Sequence, residues 1–246
     1  MPFQNISKYK NSLILGLYFS QKRRRHLRGT TKSFLFVGIQ HLDMERVRFV
    51  VRVVAGRAKG RPLKSVPGMG TRPTTDKVKE AIFSMIGPYF DGGTVLDLFA
   101  GTGGLGIEAL SRGMERAVFI DMEPKSIDTI KANLKSTGFE PCAEIYRNEA
   151  GRAIKALEKR KYIFDLVFLD PPYRMKNGDV LMTEMATRGL LSAGALLVLE
   201  YESSYSYTEG INGFCHLRTA KYGETTVSIY EYEQLESESE KSGEEE

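Results

Sequence analysis

Residues 94–112 leave this chain few folds to choose from. Thr94-Val95-Leu96-Asp97-Leu98-Phe99 is a short apolar run suited to a buried strand, with a carboxylate near its end. Ala100-Gly101-Thr102-Gly103-Gly104-Leu105-Gly106 follows, then a helical stretch over 107–112 that Gly113 stops. Glycines in such a turn permit positive φ and close approach of a ligand, and the helix behind them offers unpaired N–H groups. A buried strand that turns at once into a helix is the opening unit of a helix-covered, parallel sheet.

The middle of the chain repeats that unit. A strand over 117–120 closes on Asp121, 20 residues after Gly101, where a carboxylate can take both hydroxyls of a ribose. A helix over 126–135 and a strand over 143–146 come next. Arg147-Asn148-Glu149-Ala150 then opens another helix; Asn148 and Glu149 suit an adenine edge and equally suit an N-cap. Strands over 164–169 and 195–200 flank a helix over 180–188. Two last strands, 216–222 and 225–232, meet at Gly223-Glu224 as an antiparallel hairpin. The expected fold is α/β: a doubly wound, mostly parallel, seven-stranded sheet with that hairpin at its C-terminal edge. Asp97, Asp121, Asn148 and Asp170 all fall at strand ends, the rim where such sheets bind ligands.

The strand over 164–169 ends abruptly at Asp170-Pro171-Pro172-Tyr173. Neither proline has an N–H and both fix φ, so the chain leaves the sheet there. A carboxylate, two stiff carbonyls and an aromatic face emerge together. They suit a flat base carrying an amino group, with acceptors for its N–H donors and a surface for its ring. Gly101-Thr102-Gly103-Gly104-Leu105-Gly106 also spells the GxGxxG of dinucleotide sites, a weak signal alone. Asp97 would repel a pyrophosphate but could bind an ammonium, and Asp170–Tyr173 has no use in hydride transfer. A nucleoside joined to an amino acid without phosphate, S-adenosylmethionine, fits both.

The net charge of +4 conceals unlike ends. Residues 1–50 carry ten Lys/Arg against two acids, and 231–246 carry eight Glu against one Lys. The first segment is expected to be a poorly ordered basic extension; a start at Met44 or Val51 would account for it. Its apolar run over 13–19 is too short to span a bilayer. The last segment, 233–246, reads as a disordered acidic tail. Between them, 51–90 forms a small basic hairpin and helix. Val51–Gly56 alternates like a strand, Gly60 breaks it, and Thr74 or Thr75 caps the helix that follows. Arg52, Arg57, Lys59, Arg61, Lys64 and Arg72 precede its first acid, Asp76, and suit contact with phosphates. A solvated surface is the competing reading. Cys142 and Cys215 lack metal-ligand spacing, and no metal is expected.

Asp97-Leu-Phe-Ala-Gly101-Thr-Gly103, Asp121, Arg147-Asn-Glu-Ala150 and Asp170-Pro-Pro-Tyr173 together resemble the class I S-adenosylmethionine-dependent methyltransferases. Arg52-Val-Val-Ala-Gly56, Lys59-Gly-Arg61 and Arg72-Pro-Thr-Thr-Asp76-Lys77-Val-Lys-Glu80 are similar, more narrowly, to the RsmD family. The likeness covers about 51–232. Glu149 departs from it, since an aspartate would be expected there. The resemblance implies methylation of the N2 amine of a guanine in bacterial 16S ribosomal RNA, with the RNA within a small-subunit particle. It implies Asp170, Pro171, Pro172 and Tyr173 as the catalytic loop. Asp97, Phe99, Gly101, Thr102, Gly103, Asp121, Asn148, Glu149 and Ala150 would hold the donor, and Arg52, Arg57, Lys59, Arg61, Arg72 and Lys77 the RNA. A cytoplasmic monomer without a membrane partner is expected. A DNA adenine-N6 or other RNA amino-methyltransferase stays open, as does a non-catalytic RNA-binding assembly factor.

Overall fold

The computed structural model describes residues 51–68, 75–172, 175–207 and 210–233. The expectations for 1–50, the acidic tail from 234, Arg72, Thr74 and Tyr173 lie outside them.

Two short strands, β1 (Val51–Arg52) and β2 (Pro62–Leu63), pair antiparallel ahead of helix α1 (Asp76–Ile86). Then alternate β3 (Thr94–Asp97), α2 (Gly104–Ser111), β4 (Arg116–Asp121), α3 (Pro124–Thr137) and β5 (Ala143–Arg147). After α4 (Ala150–Lys159), β6 (Phe164–Leu169) and α5 (Gly178–Thr187) come β7 (Leu191–Glu202), β8 (Phe214–Tyr222) and β9 (Thr225–Tyr232). The seven strands of the main sheet lie in the order β5-β4-β3-β6-β7-β9-β8. The first five are parallel, and β9 runs antiparallel to both β7 and β8. The doubly wound sheet with its C-terminal hairpin is therefore present. Strand order reverses between β3 and β6, the place where such sheets open a crevice for ligands.

The central strands read as continuous apolar runs because both faces are covered. Val95, Ala117, Phe119, Leu166 and Phe168 pack with α1, α2 and α3, through Ile82, Phe83, Leu110 and Ile130. Their neighbours Leu96, Val118, Ile120, Val167 and Leu169 pack on the other face with α4 and α5, through Ile154, Leu157 and Met182. Period-two alternation thus divides the side chains between two cores.

The basic segment shares the first of these cores, through Val51, Val53, Ala58 and Leu63. The expected strand over 51–56 is only β1 long. Beyond it the backbone N–H groups of Val54 and Ala55 donate to the Glu108 carboxylate at 2.7 and 2.8 Å, so a side chain takes the place of a strand partner. Gly56 (φ +78°) crosses α2 so closely that an added Cβ would lie 1.8 Å from the Ser111 carbonyl oxygen. Ser111 Oγ accepts from Ala58 N–H and donates to Ala55 C=O, at 2.9 and 2.6 Å. Thr75 is the N-cap of α1 and accepts from Val78 N–H.

Candidate functional site

The glycine turn is built between β3 and β4. Ala100 N–H donates to Ile120 C=O at 2.9 Å, and Gly101 N–H donates to Asp121 Oδ2 at 2.8 Å. Asp121 Oδ1 accepts from Glu123 N–H, so one carboxylate fixes both the turn and the start of α3. Gly101 and Gly103 hold φ of +52° and +75°, and Gly103 caps α2 without a side chain. An added Cβ on Gly101 would meet nothing closer than 4.0 Å. Its glycine keeps that cradle open for a ligand. Gly106 differs, because a Cβ there would lie 2.4 Å from the Phe119 ring. That glycine lets the helix pack on the sheet.

Asp97 is buried at the end of β3 and accepts from Gly106 N–H at 3.0 Å. Desolvation, together with the smaller push of the Asp170 and Asp121 charges and against the pull of that hydrogen bond, raises its pKa to about 7. Three sequence-predicted carboxylates therefore sense one another across the rim. Asp170 follows β6 beside the switch point; burial likewise raises its pKa to about 7. None of the described residues hydrogen-bonds its side chain. Pro171 is buried and Pro172 is exposed, with the Pro172 carbonyl accepting from Met175 N–H to close the turn.

Other predicted donor-site residues occupy the same rim. Phe99 is half-buried against the second core, and Thr102 C=O accepts from Asn133 Nδ2 at 2.9 Å. Asn148 is tied to it by its N–H, which donates to Asp121 C=O. Glu149 caps α4 with both oxygens, accepting from Gly151 and Arg152 N–H at 3.0 Å each; these bonds hold its pKa below the usual range. Ala150 is buried as the first residue of that helix. The capping role of Glu149 is thus occupied, and its length, the departure noted in the sequence, is used there.

Arg57, Lys59, Arg61 and Lys77 are exposed. Arg57 lies 5.2 Å from the Phe139 ring centroid. Arg52 is held by Asp76 at 2.9 Å and is the predicted RNA contact already engaged by an acid.

Several residues of the site were not anticipated. Asn133, buried on α3, binds Lys64 N–H and C=O as well as Thr102, which ties the basic segment to the glycine turn. Met122, 60% exposed right after Asp121, offers apolar surface at the end of β4. A cleft beside Pro171 is lined by Lys176, Glu200, Tyr201, Tyr205 and Tyr207. The one sequence signal for it was that the strand over 195–200 ends in an acid, as the strands bearing Asp97, Asp121 and Asp170 do. Among the described residues no group of three or more His, Cys, Asp or Glu could hold a metal ion, and no helix is long and apolar enough to cross a membrane.

A glycine cradle, a desolvated acid that lacks a cation and a carboxylate–proline loop, grouped at the switch point of this sheet, define a class I methyltransferase, whose methyl donor is S-adenosylmethionine. The family described as Conserved hypothetical protein 95 matches residues 51–231. The Bacillus subtilis protein YlbH is 49% identical over 180 residues, covering 73% of this chain and 98% of its own. The Ribosomal RNA small subunit methyltransferase D of Haemophilus influenzae is 33% identical over 153 residues, covering 62% of this chain and 79% of its own. Among solved structures, a conserved hypothetical protein from Streptococcus pyogenes superposes with a TM-score of 0.61 at 41% identity, covering 63% of this chain and 96% of its own. The chain belongs to this family, the RsmD family of methyltransferases.

Proposed function

We propose that this chain methylates the exocyclic N2 amine of a guanine in small-subunit ribosomal RNA. The observation that carries the reading is the Asp170–Pro171 pair: a desolvated carboxyl and a stiff carbonyl at the switch point, next to the donor cradle. The Haemophilus relative, named for the small ribosomal subunit, supports the RNA substrate. So does the exposed basic segment anchored to the two helices that follow the glycine turn.

Bound S-adenosylmethionine supplies a methyl group on a sulfonium, a strong electrophile. Asp97 is placed to take its ammonium, and Asp121 its ribose hydroxyls. Phe99 and Met122 add apolar surface, and the turn 101–103 keeps backbone out of the way. Guanine's amine is a poor nucleophile because its lone pair is delocalised into the ring. Hydrogen bonds from that amine to the Asp170 carboxylate and the Pro171 carbonyl favour a pyramidal nitrogen and aim its lone pair. Tyr173 lies next in the chain, and stacking of a base on such a ring contributes about 1–3 kcal/mol. Catalysis then rests mainly on orientation and exclusion of water. Arg57, Lys59, Arg61, Lys77 and Arg72 are the proposed phosphate contacts, with Arg52 weaker because Asp76 neutralises it.

A methyl-transfer assay with naked ribosomal RNA, small subunits and duplex DNA, read by nucleoside mass spectrometry, tests this. N2-methylguanosine from the RNA or the subunits is the expected product. Labelling of DNA alone would remove the ribosomal reading. Donor binding without labelling of any substrate would favour a non-catalytic assembly factor.

A further inference from the structure

The cleft beside Pro171 holds a second acid that the mechanism above does not use. Leu169 of β6 pairs with Leu199 of β7, so the next residues, Asp170 and Glu200, stand side by side at the ends of adjacent parallel strands. Strands lie about 4.8 Å apart and in-register side chains share a face, so the two carboxyls point the same way. Oε2 of Glu200 is buried without a hydrogen-bond partner among the described residues. An orphaned buried acceptor is destabilising, and is explained when a ligand supplies the missing group. Lys176 lines the same cleft, yet it sits over the Tyr205 ring at 4.9 Å, and no described residue forms an ion pair with Glu200. Tyr201 and Tyr205 pack edge-to-face against Tyr207, at 5.0 and 4.9 Å, which makes the cleft wall rigid and aromatic.

We propose that Glu200 reads the target base: its carboxyl pairs with the ring N1–H and O6 of the guanine whose N2 amine lies at Asp170. This rests on the guanine-N2 reading and adds the residue that selects the base. N1–H and O6 are next to the 2-amine on guanine's edge, as Glu200 is next to Asp170. A neutral carboxyl presents an acceptor and a donor that match this pair in two hydrogen bonds. Burial and the neighbouring Asp170 charge both favour that neutral form, raising the Glu200 pKa well above the usual carboxylate range. Adenine and cytosine present a ring-nitrogen lone pair beside their amines, so one Glu200 oxygen would stay unpartnered against either.

The test uses the full chain and an RNA fragment carrying the mapped target guanine, or 2-aminopurine in its place. 2-Aminopurine keeps the 2-amine and lacks N1–H and O6. Wild type should prefer guanine by about 10- to 100-fold in kcat/KM, the loss expected from an unpaired buried group. Glu200→Gln should keep the guanine preference, because an amide offers the same acceptor and donor. Glu200→Met should bring the preference within about threefold of unity, with S-adenosylmethionine affinity by calorimetry unchanged as a check of folding. Equal use of the two bases by wild type would overturn the assignment without recourse to any variant. So would a Glu200→Gln enzyme as impaired as Glu200→Met, which would make Glu200 an ionised base. Labelling at adenine or cytosine would sink the guanine reading and this assignment together, whereas N2-methylguanosine with an indifferent ratio would sink the assignment alone.

Discussion

Buried carboxylates occur in two regions of this chain, and the two regions treat them in opposite ways. Beneath the basic segment, Glu108 is wholly buried and wholly engaged. It accepts from Val54 N–H, Ala55 N–H and Arg112 Nε, and Lys79 Nζ lies 3.6 Å away. Lys79 also donates to Arg52 C=O, and Arg112 to Pro88 C=O while its guanidinium lies over the Phe83 ring. Desolvation lowers the Lys79 pKa, and the Glu108 charge opposes that fall. Along the strand ends, by contrast, Asp97 has one backbone donor, and Asp170 and Oε2 of Glu200 have no partner among the described residues. The first region closes its charges internally and so fixes the segment onto α2. The second leaves its charges open, and the proposed partners are an ammonium and the N–H groups of a base. Buried charge is structural where the protein supplies the counterpart and functional where it does not.

The largest effects should separate the regions. Glu108→Ala leaves Lys79 and Arg112 buried without their acid and should cost about 3–5 kcal/mol of unfolding free energy by urea denaturation. A loss below about 1 kcal/mol would break the contrast. Asp170→Asn should show the mirror image: kcat down about 10²–10³-fold, with stability and donor affinity unchanged. If it unfolds the protein instead, Asp170 belongs with Glu108.

Asp97 gives a pH signature. Its folded pKa of about 7 lies above the 3.8 of an ordinary aspartate, so the stability it contributes is present below pH 3.8 and lost as pH rises from about 4 to 7. The loss is on the order of 4 kcal/mol. Unfolding of the ligand-free protein at pH 5 and pH 8 should show the part of this fall above pH 5, on the order of 3 kcal/mol, and Asp97→Asn should remove that share, leaving the fall that Asp170 adds over the same window, while weakening donor binding. Over the same window donor affinity should rise by up to about tenfold per pH unit, as a proton leaves Asp97 for the ammonium to bind. A pH-independent affinity would remove Asp97 from the donor site.

The smallest effect is expected at the exposed cations. Replacing Arg57, Lys59 and Arg61 by Ala should weaken RNA binding and make the slope of log affinity against log salt shallower by about one for each phosphate no longer neutralised. Arg52→Ala should change the slope less, since Asp76 already holds that side chain. An unaltered slope in the triple variant would reduce the segment to ordinary surface.

Much of this was legible in order along the chain. The runs over 94–99, 117–120 and 164–169 announce buried parallel strands because both faces of the sheet are covered, and Asp97, Asp121 and Asp170 mark their ends. The glycine turn and Thr75 work through local backbone rules, which sequence carries directly. Glu108, Lys79 and Asn133 were not legible. Each sits in an ordinary helix, and apart from the helical neighbours Arg112 and Asp76 its partners lie 27 to 69 residues away: Arg52 for Lys79, Val54 and Ala55 for Glu108, and Lys64 and Thr102 for Asn133. The strand expected over 51–56 failed for the same reason, as Glu108 took its N–H groups.

The sequence alone thus determined the alternation of strands and helices, the glycine turn after β3, and the carboxylates at the rim, because these depend on periodicity and on residues close in the chain. The tertiary structure decided which carboxylates are satisfied and which lack a partner among the described residues. It seated the basic segment on α2 and α3, and it set Glu200 beside Asp170 through the register of β6 with β7. Hydrogen-bond satisfaction and desolvation are properties of what surrounds a side chain, and strand order brings those surroundings together from distant parts of the chain.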